Sequence, residues 1–136
     1  MPFYLWKWRD SSVCRKDPDY ILKTYVDLIK SSDYSIQWLI NKSKFDKARE
    51  CIVSIVYDSY YSFCCPKWQT IETKEYRDNT EKYFAEYFKK YEYLWNEAPN
   101  ELKMNISNGI RQRNVLQGMN MEKETIEQFL SRIKQL

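Results

Sequence analysis

Thr80, Phe84, Tyr87, Tyr91, Leu94 and Ala98 follow one another at steps of 4, 3, 4, 3 and 4 residues. At 3.6 residues per turn, that spacing puts all six side chains on one face of an α-helix. A strand alternates every second residue and would scatter them over both faces. Tyr83, Phe88 and Trp95 widen the stripe. A second face carries Lys74, Asp78, Lys82, Glu86 and Lys90, each four residues from the last and alternating in sign. Such i,i+4 pairs add a few tenths of a kcal/mol each and mark a solvated surface. The spacing predicts a helix over about 71–96, close to 40 Å long at about 1.5 Å per residue. Its aromatic seam has to be covered, either by other helices of the chain or by a homodimer through helix 71–96.

The remaining segments supply the covering helices. Asp17-Pro18 is an N-cap followed by a proline at the first helical position, and Leu22, Tyr25, Val26 and Ile29 continue at helical spacing. This predicts a helix over 18–31, broken by Ser31-Ser32-Asp33, with Ser32 capping a short second helix that carries Ile36, Leu39 and Ile40. Ser43 and Asp46 have the spacing of a capping box, so Ser43 is expected to start the next helix. That helix has a narrow polar stripe (Lys47, Glu50, Ser54, Asp58, Tyr61) and is apolar elsewhere, through Ala48, Ile52, Val53, Ile55, Val56, Tyr57 and Tyr60. A helix apolar over most of its circumference belongs at the centre of a bundle.

Residues 102–115 admit two readings. Asn108-Gly109 is a hairpin signal, but a hairpin there would place Leu102, Met104 and Ile106 beside Val115, Arg113 and Arg111, without matching apolar alternation. A helix aligns Leu102, Ile106 and Ile110 and is favoured, although Gly109 costs it about 1 kcal/mol. A last helix is expected after Asn120, with Ile126, Phe129, Leu130 and Ile133 as its stripe.

With 136 residues, 43% of them apolar, the chain is long enough for one core and is expected to form one domain over 1–136. Two glycines are too few for a sandwich of tight hairpins. The expected architecture is all-α: a single-domain bundle of five to six helices, with a basic aromatic arm over residues 1–16. Extended structure fits residues 3–9 of that arm.

The chemistry is narrower than the packing. There are 5 Trp, 12 Tyr and 6 Phe, and no His. Absence of imidazole removes the commonest general base, the commonest metal ligand and every Ser–His or Cys–His pair. Cys14, Cys51, Cys64 and Cys65 contain no Cys-x-x-Cys spacing, so no metal site and no cofactor is expected. No glycine-rich phosphate loop is present. Asp58 sits among tyrosines but on a polar stripe, where a solvated or hydrogen-bonded carboxylate is the simpler reading. Nothing approaches about 18 consecutive apolar residues, and the first residues lack a secretory pattern. A soluble protein of a reducing, cytoplasmic compartment is expected.

Binding is what the composition favours. Trp6, Lys7, Trp8 and Arg9, followed by Arg15 and Lys16, interleave rings with cations, as protein hot spots and single-strand nucleic-acid sites both do. They would serve equally to staple the arm onto the helices. Arg111 and Arg113 form a second basic pair, which shares a face only if that segment is not helical. A formal charge of +3 is small for a dedicated nucleic-acid binder. The expected function is that of a small non-enzymatic interaction protein. It would bind a macromolecular partner, a protein before a nucleic acid, through a Tyr/Trp/Arg-rich surface. A phage or virus product that occludes a host defence protein is the kind of molecule meant. A single-stranded nucleic-acid or RNA-binding module is the alternative, and an enzyme with a His-free site comes last.

Overall fold

The seam at Thr80–Ala98 is buried along its whole length, and the helices that bury it define the fold. A computed structural model describes residues 18–63, 74–116 and 124–136. The described elements are five helices: α1 (Pro18–Asn41), α2 (Phe45–Phe63), α3 (Lys74–Glu97), α4 (Asn100–Leu116) and α5 (Ile126–Lys134). Among the described residues there is no strand, and the bundle is all-α. The N-terminal arm lies outside them.

Helix α2 occupies the centre, as its nearly all-round apolar sequence predicts, and packs against α1, α3, α4 and α5. Ala48, Ile52, Val53, Val56 and Ser59 are completely buried along it. Helix α1 packs on α2 and α3, and α5 closes over α3 and α2. The predicted seam of α3 is therefore covered within one chain.

Aromatic rings tie three helices together. Phe129 of α5 lies 6.0 Å from Phe84, which leads by way of Phe88 (6.1 Å) to Trp95 (6.5 Å) on α3. Trp95 meets Tyr57 of α2 at 5.6 Å, Tyr57 meets Tyr61 at 6.3 Å, and Tyr61 meets Tyr60 at 4.9 Å. Tyr60 returns to Phe129 at 5.5 Å, closing a circuit of seven rings. Such tilted and offset pairs each add about 0.5–1.5 kcal/mol beyond area burial. The buried hydroxyls find partners: Tyr61 with Ser107, Tyr25 with Ser59, and Tyr60 with the Glu124 carbonyl.

Three expectations are corrected and one open alternative is decided in favour of the helix expected. Ser31-Ser32-Asp33 does not break the first helix, and α1 runs unbroken to Asn41. Ser32 and Asp33 turn sideways to α3 instead of capping a new helix. Ser32 shares a hydrogen bond with the Tyr87 hydroxyl at 2.8 Å, and Asp33 accepts from Tyr91 and from Lys90 at 3.0 Å. Ser43 does not cap α2; it ends α1. Its φ of 58° is left-handed, its N–H donates to the Ile40 carbonyl, and the Lys44 N–H donates to the Leu39 carbonyl. Those two bonds are a Schellman stop with serine where glycine is usual. The hairpin reading of 102–115 fails, because Asn100–Leu116 is one helix and Gly109 sits exposed within it. The last helix begins later than expected, at Ile126, where Thr125 and Gln128 form a reciprocal capping box.

Candidate macromolecule-binding surface on helix α1

Burial of α1 on one side determines what it shows on the other. Tyr25, Ile29 and Ile36 face the core, while Asp33 and Gln37 form a polar edge toward α3, with Gln37 donating to the Tyr91 hydroxyl at 2.8 Å. Half a turn away, Tyr34 and Trp38 stand one helical turn apart and point to solvent. Tyr34 is 77% exposed and Trp38 47%. Leu28, nearer the start of α1, is also exposed, as is Phe45 at the start of α2. Large side chains grouped in this way on a rigid helix differ from single exposed apolar residues, which need no explanation.

The surface is grooved. One open groove of about 380 Å³ lies between Leu28, Ser31 and Ser35 of α1 and Glu50, Cys51 and Ile55 of α2. A second, of about 390 Å³, lies against Tyr34, Ser35, Trp38 and Leu39. Ser35 lines both, so the two adjoin as a shallow trough along α1, lined by serines, with Leu28 and Trp38 toward its two ends. Burial, reinforced by the neighbouring Glu50 carboxylate, raises the Cys51 thiol pKa, which keeps that thiol uncharged.

Cations gather at the Trp38 end. The ammonium groups of Lys42 and Lys44 lie 5.9 and 5.5 Å from the centre of the Trp38 ring. Other charges nearby are already paired: Arg49 with Asp46 at 2.8 Å and with Glu97 at 3.4 Å, and Lys47 with Glu50 at 3.5 Å. Among the described residues, Lys42 and Lys44 have no carboxylate partner.

The residues singled out in the sequence fare differently. Trp6, Lys7, Trp8, Arg9, Arg15 and Lys16 lie outside the described residues, as do Cys14, Cys64, Cys65 and the side chain of Arg113. Arg111 is exposed on α4 and engaged with a partner. Arg111 and Arg113 fall on one helix two residues apart, about 200° around its axis, and so do not share a face. Lys103 does not join them: its ammonium lies 4.1 Å from the centre of the Trp95 ring, and burial there lowers its pKa. Asp58 is half-buried and engaged.

Tyr34, Trp38, Lys42 and Lys44 were the residues that sequence reasoning missed. Breaking the first helix at Ser31-Ser32-Asp33 severed Ile29 from Ile36. With those two kept in one helix, Tyr34 and Trp38 fall on the side opposite the core.

Other polar clusters among the described residues are paired within the chain. Arg132 binds Glu81 at 2.6 Å and Glu124 at 2.8 Å, and Asp33 is taken up by Tyr91 and Lys90. Among the described residues, no three Cys, Asp or Glu side chains are grouped to hold a metal ion, and no helix is long and apolar enough to cross a membrane. Comparisons of the chain with protein families, with characterised proteins and with solved structures find no match.

Proposed function

We propose that this chain is a non-enzymatic interaction protein that grips a protein partner through the outer face of α1 and acts by covering the partner's surface. The observation that carries this reading is the exposure of Tyr34 and Trp38, one turn apart, at the end of a trough. Binding energy in protein interfaces concentrates in a few aromatic and Arg anchors, and these two rings are mounted on a helix whose opposite side is locked in the core. Little side-chain entropy is lost when such rings dock.

The test is affinity capture from the native host with nuclease present, using the wild-type chain and Trp38→Ala. A partner retained by the wild type and lost with Trp38→Ala supports the reading. A partner retained equally by both removes α1 as the binding face.

The interleaving of Trp38 with Lys42 and Lys44 favours a second reading, a single-stranded nucleic-acid site with the ring stacking on a base. Glu50 in the trough wall counts against a phosphate backbone there. Capture abolished by nuclease, together with binding to an oligonucleotide that weakens steeply with salt, would favour this second reading.

A further inference from the structure

We propose that the trough along α1 takes an amphipathic helix of the partner protein, with acidic side chains at the Trp38 end. This rests on the reading of α1 as the binding face and names the chemistry of what lies there. The trough runs from Leu28 to Trp38, ten residues or about 15 Å of helix, which is the length of nearly three turns. Its Leu28 half lies between α1 and α2 and its Trp38 half against α1 alone, with serines along it and Leu28, Ile55, Leu39 and Trp38 as its apolar lining, a surface on which an amphipathic helix can lay its apolar stripe.

Charge sets the direction. Arg49 and Lys47 are occupied by carboxylates of the chain itself, whereas Lys42 and Lys44 lie over the Trp38 ring and, among the described residues, have no carboxylate partner. Both lie within a Debye length of the ring, about 8 Å at physiological salt, so they act on whatever packs against it. At the Leu28 end the wall holds Glu50, already paired with Lys47. A partner helix with carboxylates at the Trp38 end and neutral residues at the Leu28 end meets complementary charge along its length. In the reverse orientation the carboxylates meet Glu50 and leave the two lysines unmatched, and a basic helix meets like charge over the tryptophan.

The probes are two synthetic amphipathic helical peptides of about 18 residues with the same Leu and Ile stripe. One carries Glu over its first two turns, and the other carries Lys at the same positions. A poly-dT oligonucleotide is the third probe. Binding to the full chain is followed by fluorescence anisotropy, and circular dichroism confirms that each variant is folded. The acidic peptide is expected to bind at least about tenfold more tightly than the basic one. Lys42→Glu with Lys44→Glu is expected to invert that preference, and Trp38→Ala to weaken both peptides.

No binding of the acidic peptide, equal binding of the two peptides, an unmoved preference in the charge-reversed variant, or stronger binding of the oligonucleotide would each overturn the inference. The broader reading fails separately: it falls if a captured partner ignores Trp38→Ala. A Trp38-dependent partner with no acidic preference leaves that reading standing while the acidic-helix inference falls.

Discussion

The Arg132 guanidinium donates to the Glu81 carboxylate at 2.6 Å across the α3–α5 interface. Glu81 is the more constrained partner, with its side chain 9% exposed against 41% for Arg132. The same guanidinium also holds Glu124 at 2.8 Å, so one cation clamps a helix-start residue to α3. Taking away a partner of a buried pair leaves an uncompensated charge, which costs more than the pair itself contributes. Arg132→Met is expected to lose about 2–3 kcal/mol, less than a fully buried pair because the guanidinium is partly solvated. Adding Glu81→Leu should recover part of that loss. Urea midpoints of the single and double variants measure it; a double variant no more stable than the single one would show that Glu81 does not depend on this cation.

Two substitutions in opposite senses should both stabilise the fold. Gly109 lies exposed in α4, and a Cβ built there meets nothing within 4 Å. Gly109→Ala is expected to add about 0.5–1 kcal/mol by reducing the entropy lost on forming the helix. Ser43 sits at φ 58°, where a side chain crowds the backbone, and Ser43→Gly is expected to add about 0.5–1 kcal/mol. Exchanging the logic, Ser43→Val should destabilise. Thermal midpoints of the three variants decide, and a fall for Gly109→Ala would contradict the helical geometry assigned to α4.

The tyrosine hydroxyls give stability an alkaline limit. Burial raises the pKa of Tyr57, Tyr87 and Tyr91, and the bond from Tyr91 to the Asp33 carboxylate raises that hydroxyl further. Unfolded tyrosine titrates near pH 10. Above that pH the folded chain holds more phenolic protons than the unfolded one, so stability falls as pH rises. Below it both states are neutral at these groups and their contribution is fully present. Denaturation midpoints followed from pH 8 to 12 should be flat in these groups' contribution at first and then decline past about pH 10. Phenolate absorbance should show a late-titrating set of tyrosines that is released on unfolding.

Periodicity made the heart of this fold legible. The seam from Thr80 to Ala98 and the apolar girth of the central helix follow from side-chain spacing alone, since burial of a helix is written in every third and fourth residue. Polar residues read as helix ends misled. Ser32, Asp33 and Ser43 all have the chemistry of caps, yet the first two spend their hydrogen bonds on Tyr87, Tyr91 and Lys90 more than 50 positions away. A local rule has no access to such distant partners. The candidate surface was hidden by the same error, because Tyr34 and Trp38 acquire an outward face only when α1 is continuous. Lys42 and Lys44 came into view with them, folded back over the ring by a left-handed turn that only backbone coordinates reveal.

That surface predicts its own separation of stability from binding. Phe129 and Phe84 are fully buried in the ring circuit, so replacing either with Ala should cost about 3–5 kcal/mol through lost packing and the cavity left behind. Trp38 carries a comparable ring but leaves nearly half of it in water, and among the described residues its ring meets the ammonium groups of the two lysines. Exposed cation–π contacts contribute about 0.5–1 kcal/mol. Trp38→Ala should therefore lower stability by only about 1 kcal/mol, and Tyr34→Ala by less than about 0.5. Denaturant midpoints for the four variants test the contrast. If Trp38→Ala destabilised the chain as much as Phe129→Ala, the indole would be a structural pillar and the surface would lose its claim to be a docking face. A small loss of stability with a large loss of partner capture is the outcome that a ring held outward for binding requires.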